Sequence, residues 1–228
     1  MEIFAAGYLG VDMFFVISGF LITGIVARAI RDERFSFIDF YSRRARRLLP
    51  AAYVVLAVTS VAAAALLTST QYNQFFVNLV GSLFFSANFT LWAQTGYFAP
   101  DSAFKPLLHM WSLAIEEQYY LLLPLILFFL PRRAWLATLL IASAASLVVG
   151  VYLATVKPSV AFFWLPARGW ELGLGSISAL IWQMNRAQSI ARAAILPALA
   201  AIALVPVWHL PGPTPGLAAV LLCLGTPL

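Results

Sequence analysis

The sequence predicts an all-α membrane protein, a polytopic bundle of transmembrane helices. Of its 228 residues, 62% are hydrophobic and only 10% are charged, whereas charged residues make up about 25% of an ordinary soluble domain. The apolar stretches are continuous and about 20 residues long, as a helix needs to cross the hydrocarbon core; a membrane barrel shows short alternating stretches. This composition excludes a cytosolic enzyme, a nucleic-acid-binding domain and a disordered tail.

The apolar stretches predict six complete spans and one partial span within a single domain, residues 1–228. The six spans are numbered 8–27, 48–67, 110–130, 134–154, 165–184 and 194–210. A seventh begins near Gly216 and is broken at Leu228, while the first span starts within a few residues of Met1. We therefore expect the chain to be part of a longer membrane domain, truncated at both ends.

Clustered arginines predict the cytoplasmic loops, because basic residues concentrate on that side of a membrane. Seven arginines separate the first two spans: Arg28, Arg31, Arg34, Arg43, Arg44, Arg46 and Arg47. Two later pairs mark two further loops: Arg132 with Arg133, and Arg186 with Arg192. All three groups face the cytoplasm only if the apolar segment 75–92 does not cross the membrane.

Segment 75–92 is accordingly predicted to be an amphipathic helix, interfacial or re-entrant. Its apolar residues recur at helical spacing and are opposed by Asn78, Ser82 and Ser86. Residues 94–109 then face outward, as does Arg168.

Asp12 lies inside the first apolar span and is a candidate catalytic residue. It shares one helical face with Gly19 and Thr23, which makes a small polar stripe. Because an isolated carboxylate is costly in hydrocarbon, we expect Asp12 to face the bundle interior or water. The alternative is a small-residue packing face with Asp12 at the level of the headgroups.

Residues 40–50 (FYSRRARRLLP), here called the arginine stretch, carry candidate donor-binding residues. These are Arg43, Arg44, Arg46 and Arg47. Guanidinium groups bind phosphate oxygens in bidentate fashion, and two turns of helix would direct several of them at one ligand. A cytoplasmic cluster suits a nucleotide or pantetheine-type donor; the alternative is a basic anchor that stops translocation.

Residues 109–120 (HMWSLAIEEQYY), here called the acidic stretch, carry further candidate catalytic residues: His109, Glu116 and Glu117. The two glutamates lie about two turns into an apolar helix, where lipid contact is not tolerated. One interpretation is a general acid/base pair in an outward-facing cavity. The alternative is an interfacial helix start in which the glutamates pair with Arg168 or Lys105.

Three residues are candidate substrate-binding groups: Ser112, Arg168 and Glu171. Ser112 lies between His109 and the glutamates, whereas Arg168 and Glu171 are spaced at i,i+3 and could neutralise each other. The sequence contains no metal-ligand spacing, nucleotide-binding glycine loop or serine-hydrolase elbow. We therefore expect no metal ion and no bound cofactor.

Three stretches together resemble the membrane acyltransferase 3 family, which includes bacterial O-antigen and exopolysaccharide O-acetylases. They are residues 10–23 (GVDMFFVISGFLIT), the arginine stretch and the acidic stretch, in the family's order. Residues 86–88 (SAN) followed by 96–98 (GYF) also fit, as does Arg168 with Glu171. The resemblance covers essentially the whole chain.

The resemblance implies an enzyme of the inner (plasma) membrane that transfers an acyl group, usually acetyl. Acetyl-CoA on the cytoplasmic side is the donor, and a hydroxyl of a cell-envelope glycan or lipid-linked sugar, such as a polysaccharide or lipopolysaccharide, is the acceptor. The partners implied are membrane lipid and that glycan, without nucleic acid. The family's arginine pair falls on Arg43 with Arg46 or on Arg44 with Arg47, and the acidic stretch falls near the acceptor.

The family also carries an earlier helix with a basic residue and a histidine thought to be catalytic, and only six residues precede Gly7 here. Asp12 or Glu116 would orient that histidine. Two alternative functions remain: a lipid or glycolipid transporter or flippase, and a catalytically dead remnant of the fold. A transporter is expected to show repeat symmetry and paired broken helices, and the sequence shows neither.

Overall fold

The computed structural model describes residues 7–95 and 105–183, and every regular element in these ranges is helical. The helices are α1 (Gly7–Arg31), α2 (Phe37–Leu66), α3 (Ser69–Leu83), α4 (Ala87–Ala93), α5 (Met110–Phe129), α6 (Trp135–Val156), α7 (Pro158–Phe163) and α8 (Leu165–Trp182). A 3-10 turn, Arg132–Ala134, precedes α6. The all-α prediction is confirmed for the described residues.

Within the described ranges, four helices are long and apolar enough to cross a membrane: Gly10–Arg31, Phe37–Leu66, Met110–Phe129 and Arg132–Val156. They correspond to the first four predicted spans. The predicted fifth span is the helix α8, which is not among the four, so the count of six spans is not confirmed. Outside the described residues lie the sixth and seventh spans, residues 96–98, Arg186 and Arg192.

The start of α2 corrects the predicted boundary of the second span. The helix begins at Phe37, eleven residues before the predicted start at residue 48. Ser36 caps it: its Oγ accepts the N–H of Asp39 at 3.3 Å, and the Asp39 carboxylate lies in the first turn, where the helix dipole favours negative charge. The arginine stretch therefore lies on a helix and not in a loop.

Segment 75–92 forms two short helices, α3 and α4, with 15 and 7 residues. They are separated at Phe85, which has a positive φ of 50°, and the N–H of Ser86 donates to the carbonyl of Gly81 at 2.7 Å. Such a bond closes a helix that ends in a left-handed residue. The 18-residue amphipathic helix of the prediction is thus broken, and neither piece is a candidate span.

The amphipathic character of α3 is confirmed, with its polar side turned inward. Asn78 and Ser82 are 3% and 2% exposed, whereas Phe76 is 55% and Phe84 is 77% exposed. This arrangement is the reverse of a helix on a soluble protein. It is the one expected where lipid surrounds the protein, because polar groups must then find partners inside.

The described residues divide into two compact units, and the first of them is built from two separate segments. The first unit comprises residues 7–33 and 119–183, and the second comprises residues 34–95 and 105–118. The first unit contains segments from both before and after the second unit. The division therefore does not decide whether the chain is a single domain, and the single-domain prediction stays a prediction.

In the first unit, α8 packs closely against α1 and α6. A Cβ added at Gly19 of α1 would overlap the carbonyl of Leu172, and one added at Gly175 of α8 would overlap the carbonyl of Val16. A Cβ at Gly173 would overlap the side chain of Ser143 on α6. These glycines let the backbones approach each other, as small residues do between membrane helices.

The contacts of the first unit also fix the relative direction of its helices. Arg132, after α5, donates from Nη2 to the carbonyl of Ile30 at the end of α1, at 3.1 Å. The end of α1, with Arg28 and Arg31, and the turn after α5, with Arg132 and Arg133, therefore lie at the same end of the unit. The prediction that these arginines all face the cytoplasm requires this arrangement.

Candidate functional site

A buried cluster of three charged side chains links α1 to α8. Arg168 Nη1 donates to Asp12 Oδ1 at 2.5 Å and to Glu171 Oε1 at 2.9 Å. The side chains of Asp12, Arg168 and Glu171 are 1%, 3% and 0% exposed. Asp12 therefore faces the bundle interior, as predicted. The proximity of Arg168 and Glu171 is also confirmed, but Asp12 as the third member was missed.

The cluster is held by further contacts of Arg168. Its Nε donates to the carbonyl of Phe162 at 3.3 Å, and its guanidinium carbon lies 5.0 Å from the centre of the Phe162 ring. A cation over an aromatic ring gains most where water is excluded. Two carboxylates share one guanidinium, so removing the cation would leave two acids buried together. Asp12 as a catalytic residue, and Arg168 and Glu171 as substrate-binding residues, stay predictions.

A cluster of hydroxyl groups lies farther along the same α1–α8 contact. Thr23 donates from Oγ1 to Ser176 Oγ at 2.7 Å, and the hydroxyl of Tyr119 lies 2.7 Å from the same oxygen. Ser176 Oγ is also 3.3 Å from the carbonyl of Gly19. The predicted stripe of Asp12, Gly19 and Thr23 is therefore the face that packs on α8.

In the second unit, the arginine stretch meets the acidic stretch. Arg44 Nη2 lies 2.7 Å from Glu117 Oε1, and the two side chains are 25% and 19% exposed. Arg43, Arg46 and Arg47 are exposed. The predicted pairing of a glutamate with Arg168 or Lys105 is thus wrong for Glu117.

Lys105 has a different partner. Its Nζ donates to the carbonyl of Gln94 at 3.1 Å. Partial burial of the ammonium group lowers the pKa of Lys105, because a less hydrated site disfavours the charged form.

The remaining residues of the acidic stretch lie in different surroundings. His109 is exposed in the turn before α5, and Ser112 Oγ donates to its carbonyl at 3.1 Å. Glu116 is buried, 5% exposed. Acid/base roles for His109 and Glu116 and substrate binding by Ser112 stay predictions. Within the described residues, no group of three or more His, Cys, Asp and Glu could hold a metal ion.

A polar network, which the sequence did not reveal, ties the acidic stretch to α3 and α4. Gln118 Nε2 donates to Asn88 Oδ1 at 2.9 Å and lies 3.4 Å from the carbonyl of Phe85. Asn78 Nδ2 donates to Gln94 Oε1 at 2.9 Å. The sequence offered one signal for this network: the triplet 86–88, which includes Asn88. The triplet fits the family resemblance, but no role was predicted for it.

We expect Gln118→Leu to destabilise the second unit by about 1–3 kcal/mol, because the buried Asn88 side chain and the carbonyl of Phe85 lose a partly buried donor. Thermal unfolding of the purified protein in detergent would measure the change. Asn73→Leu, at an exposed position of α3, is the control and should leave the midpoint nearly unchanged. Equal midpoints for both variants would show that the network does not anchor α5.

Comparison with known proteins gives a family. A family model described as an acyltransferase domain matches residues 1–227. The Bacillus subtilis (strain 168) protein YrhL, provisionally named a peptidoglycan O-acetyltransferase, is 36% identical over 192 residues, covering 80% of this chain and 30% of the relative. The O-acetyltransferase OatA of Staphylococcus aureus (strain NCTC 8325 / PS 47) is 36% identical over 190 residues, covering 78% and 30%.

A third relative is an uncharacterized protein of Haemophilus influenzae, strain Rd. It is 45% identical over 116 residues, covering 51% of this chain and 47% of the relative. The chain therefore spans less than half the length of each of these three relatives. No solved structure matches the chain. With its match to the acyltransferase model over residues 1–227 and the three stretches that carry the resemblance, the chain belongs to the membrane acyltransferase 3 family.

Proposed function

We propose that the protein is an O-acyltransferase of the inner (plasma) membrane, which moves an acetyl group from cytoplasmic acetyl-CoA to a hydroxyl of a cell-envelope glycan. The observation that carries this proposal is the contact between Arg44 and Glu117 at 2.7 Å. It joins the stretch that the resemblance assigns to the donor with the stretch that it assigns to the acceptor. The relatives named O-acetyltransferases support acetyl as the group transferred.

The exposed arginines of α2 provide the chemistry that a CoA donor requires. Arg43, Arg46 and Arg47 lie within five residues of one helix and are open to solvent. CoA carries a pyrophosphate and a ribose phosphate, and guanidinium groups bind such oxyanions through paired N–H donors. This arrangement would hold the donor by its phosphates and leave the thioester free to reach the acceptor.

The transfer breaks the bond between the acyl carbon and sulfur and forms a bond between that carbon and the glycan oxygen. The hydroxyl proton leaves to a base, and the departing thiolate is protonated to the CoA thiol. A histidine in the family's upstream helix is the base that the resemblance implies, and Asp12 or Glu116 would orient it. Asp12 is held in place for this by Arg168.

The name of one relative supports the acceptor class, and the resemblance implies that the acidic stretch lies near the acceptor. YrhL is named for peptidoglycan, so we propose a cell-envelope glycan, with peptidoglycan as the first acceptor to test. His109 is exposed at the start of α5, with Ser112 one turn away. These two residues are the groups that we propose a glycan contacts.

Replacing Arg43 and Arg46 together by alanine should abolish glycan acetylation without preventing membrane insertion. The reason is that two of the proposed phosphate-binding groups are lost, whereas both side chains are exposed and support no described contact. Acetate released from purified glycan by mild base measures the activity, and the amount of protein in the membrane fraction measures insertion.

The matched control is Arg28→Ala with Arg31→Ala, which removes the same charge from exposed positions at the end of α1. It should keep acetylation near the unmodified level. Unchanged acetylation in the Arg43/Arg46 variant would contradict donor binding by this cluster.

A further inference from the structure

We propose that Glu117 is a positioning residue for donor binding. Its carboxylate holds the guanidinium of Arg44 in the orientation that receives a phosphate of acetyl-CoA. This inference rests on the proposed function and changes one sequence prediction, since it gives Glu117 a role through Arg44 in place of an acid/base role toward the acceptor.

The first step is the contrast between Arg44 and the rest of the arginine stretch. Arg44 is partly buried, whereas Arg43, Arg46 and Arg47 are exposed. Its side chain nevertheless keeps 25% of its surface accessible. Arg44 is therefore both fixed by the protein and reachable by a ligand.

The second step is the geometry of the contact. Nη2 of Arg44 and Oε1 of Glu117 are 2.7 Å apart, which is the range of a charge-assisted hydrogen bond. A partly buried pair of this kind is less screened than a pair on an open surface. The bond fixes the plane of the guanidinium, because its N–H groups form a rigid fork.

The third step is the rigidity of the element that carries Glu117. The next residue, Gln118, donates a hydrogen bond to Asn88 on α4 at 2.9 Å, and Asn88 is fully buried. The network thus fixes α5 at the position from which Glu117 reaches Arg44.

The consequence for catalysis follows from preorganisation. A free arginine loses rotamer freedom when it binds a phosphate, and an arginine already held by a carboxylate loses less. Glu117 should therefore lower the KM for the donor and have little effect on the chemical step. An acid/base residue would instead control kcat and its pH dependence.

The test uses Glu117→Gln in the complete protein, with acetyl-CoA as the varied substrate and membranes as the enzyme source. We expect the KM for acetyl-CoA to rise by about tenfold, as for the loss of one charge-assisted bond, with kcat and its pH profile little changed. Asp32→Asn, which removes an acid at an exposed position in the turn between α1 and α2, is the control and should leave both constants unchanged.

A double-mutant cycle shows whether Glu117 acts through Arg44. With Arg44→Ala already present, adding Glu117→Gln should not raise the donor KM further. An independent increase would overturn the proposal. Two other results for Glu117→Gln would also overturn it. A lowered kcat with loss of one limb of the pH profile would indicate acid/base catalysis. A lowered KM for acetyl-CoA would indicate that Glu117 competes with the donor.

If Glu117→Gln does not fold, Glu117→Asp provides a second test, because it keeps the charge and shortens the side chain. It should raise the donor KM less than Glu117→Gln and leave kcat unchanged. If neither variant accumulates in the membrane while Asp32→Asn does, Glu117 is a structural residue and the proposal is wrong. If the unmodified protein transfers no acetyl group, the proposed function is wrong. If the unmodified protein transfers acetyl and Glu117→Gln has the same KM and kcat, only this inference is wrong.

Discussion

Arg168→Met is expected to destabilise the protein by about 3–5 kcal/mol, which is the usual cost of breaking a buried ion pair from one side. Arg168 is the described cation between Asp12 and Glu171, and all three side chains are at most 3% exposed. Without it, two carboxylates would lie together at the α1–α8 contact, each disfavoured by burial and by the other. Methionine fills a similar volume, so the loss would come from charge and not from a cavity. Thermal unfolding in detergent and the yield of folded protein would measure it.

Asp12→Asn is the matched control for this cluster. It removes one carboxylate and leaves Arg168 paired with Glu171 at 2.9 Å, so the charges balance one to one. We expect a much smaller loss of stability than for Arg168→Met. If the two variants unfolded at the same temperature as the unmodified protein, the cluster would not be the buried link between α1 and α8 described above.

Gly19→Ala is expected to destabilise the protein by about 1–3 kcal/mol, which is typical of overpacking in a close-packed interior. The added methyl group would overlap the backbone carbonyl of Leu172 on α8. A backbone atom cannot move aside as the end of a side chain can, so α1 and α8 would have to separate. That separation would also weaken the bond between Thr23 and Ser176. The midpoint of thermal unfolding in detergent is again the measurement.

Gly24→Ala provides the comparison within the same helix. A Cβ at Gly24 meets nothing within 4 Å, and alanine stabilises a helix interior relative to glycine by up to about 1 kcal/mol. We therefore expect opposite signs for the two substitutions. A midpoint that rises for Gly19→Ala as it does for Gly24→Ala would contradict the close approach of α1 and α8.

The helices themselves could be predicted because long apolar stretches have few alternatives in a membrane. The start of α2 was missed because a run of arginines resembles a cytoplasmic loop, although arginine is a good helix former and Ser36 provides a cap. The periodicity of α3 was visible in the sequence. Its inward polar side became clear only from the structure, because periodicity shows that two faces differ and does not show which one the protein covers.

The candidate site was predictable only where its residues lie close in sequence. Arg168 and Glu171 are three residues apart, and helical spacing alone brings them together. Asp12 and Arg168 are 156 residues apart, and Arg44 and Glu117 are 73 residues apart. One clue was available for the pair Asp12 and Arg168. Each is a charged residue near the outer end of an apolar stretch, where a charge requires an oppositely charged partner. No such signal pointed from Arg44 to Glu117.

The proposed acyl transfer is tested most directly by incubating membranes that contain the complete protein with acetyl-CoA labelled in its acetyl group. Our account predicts that label appears in cell-envelope glycan as an ester that mild base releases, with membranes lacking the protein as the control. Redistribution of lipid or glycolipid without label in the glycan would indicate a carrier. The absence of both would indicate a catalytically inactive member of the family, and either result would contradict the account.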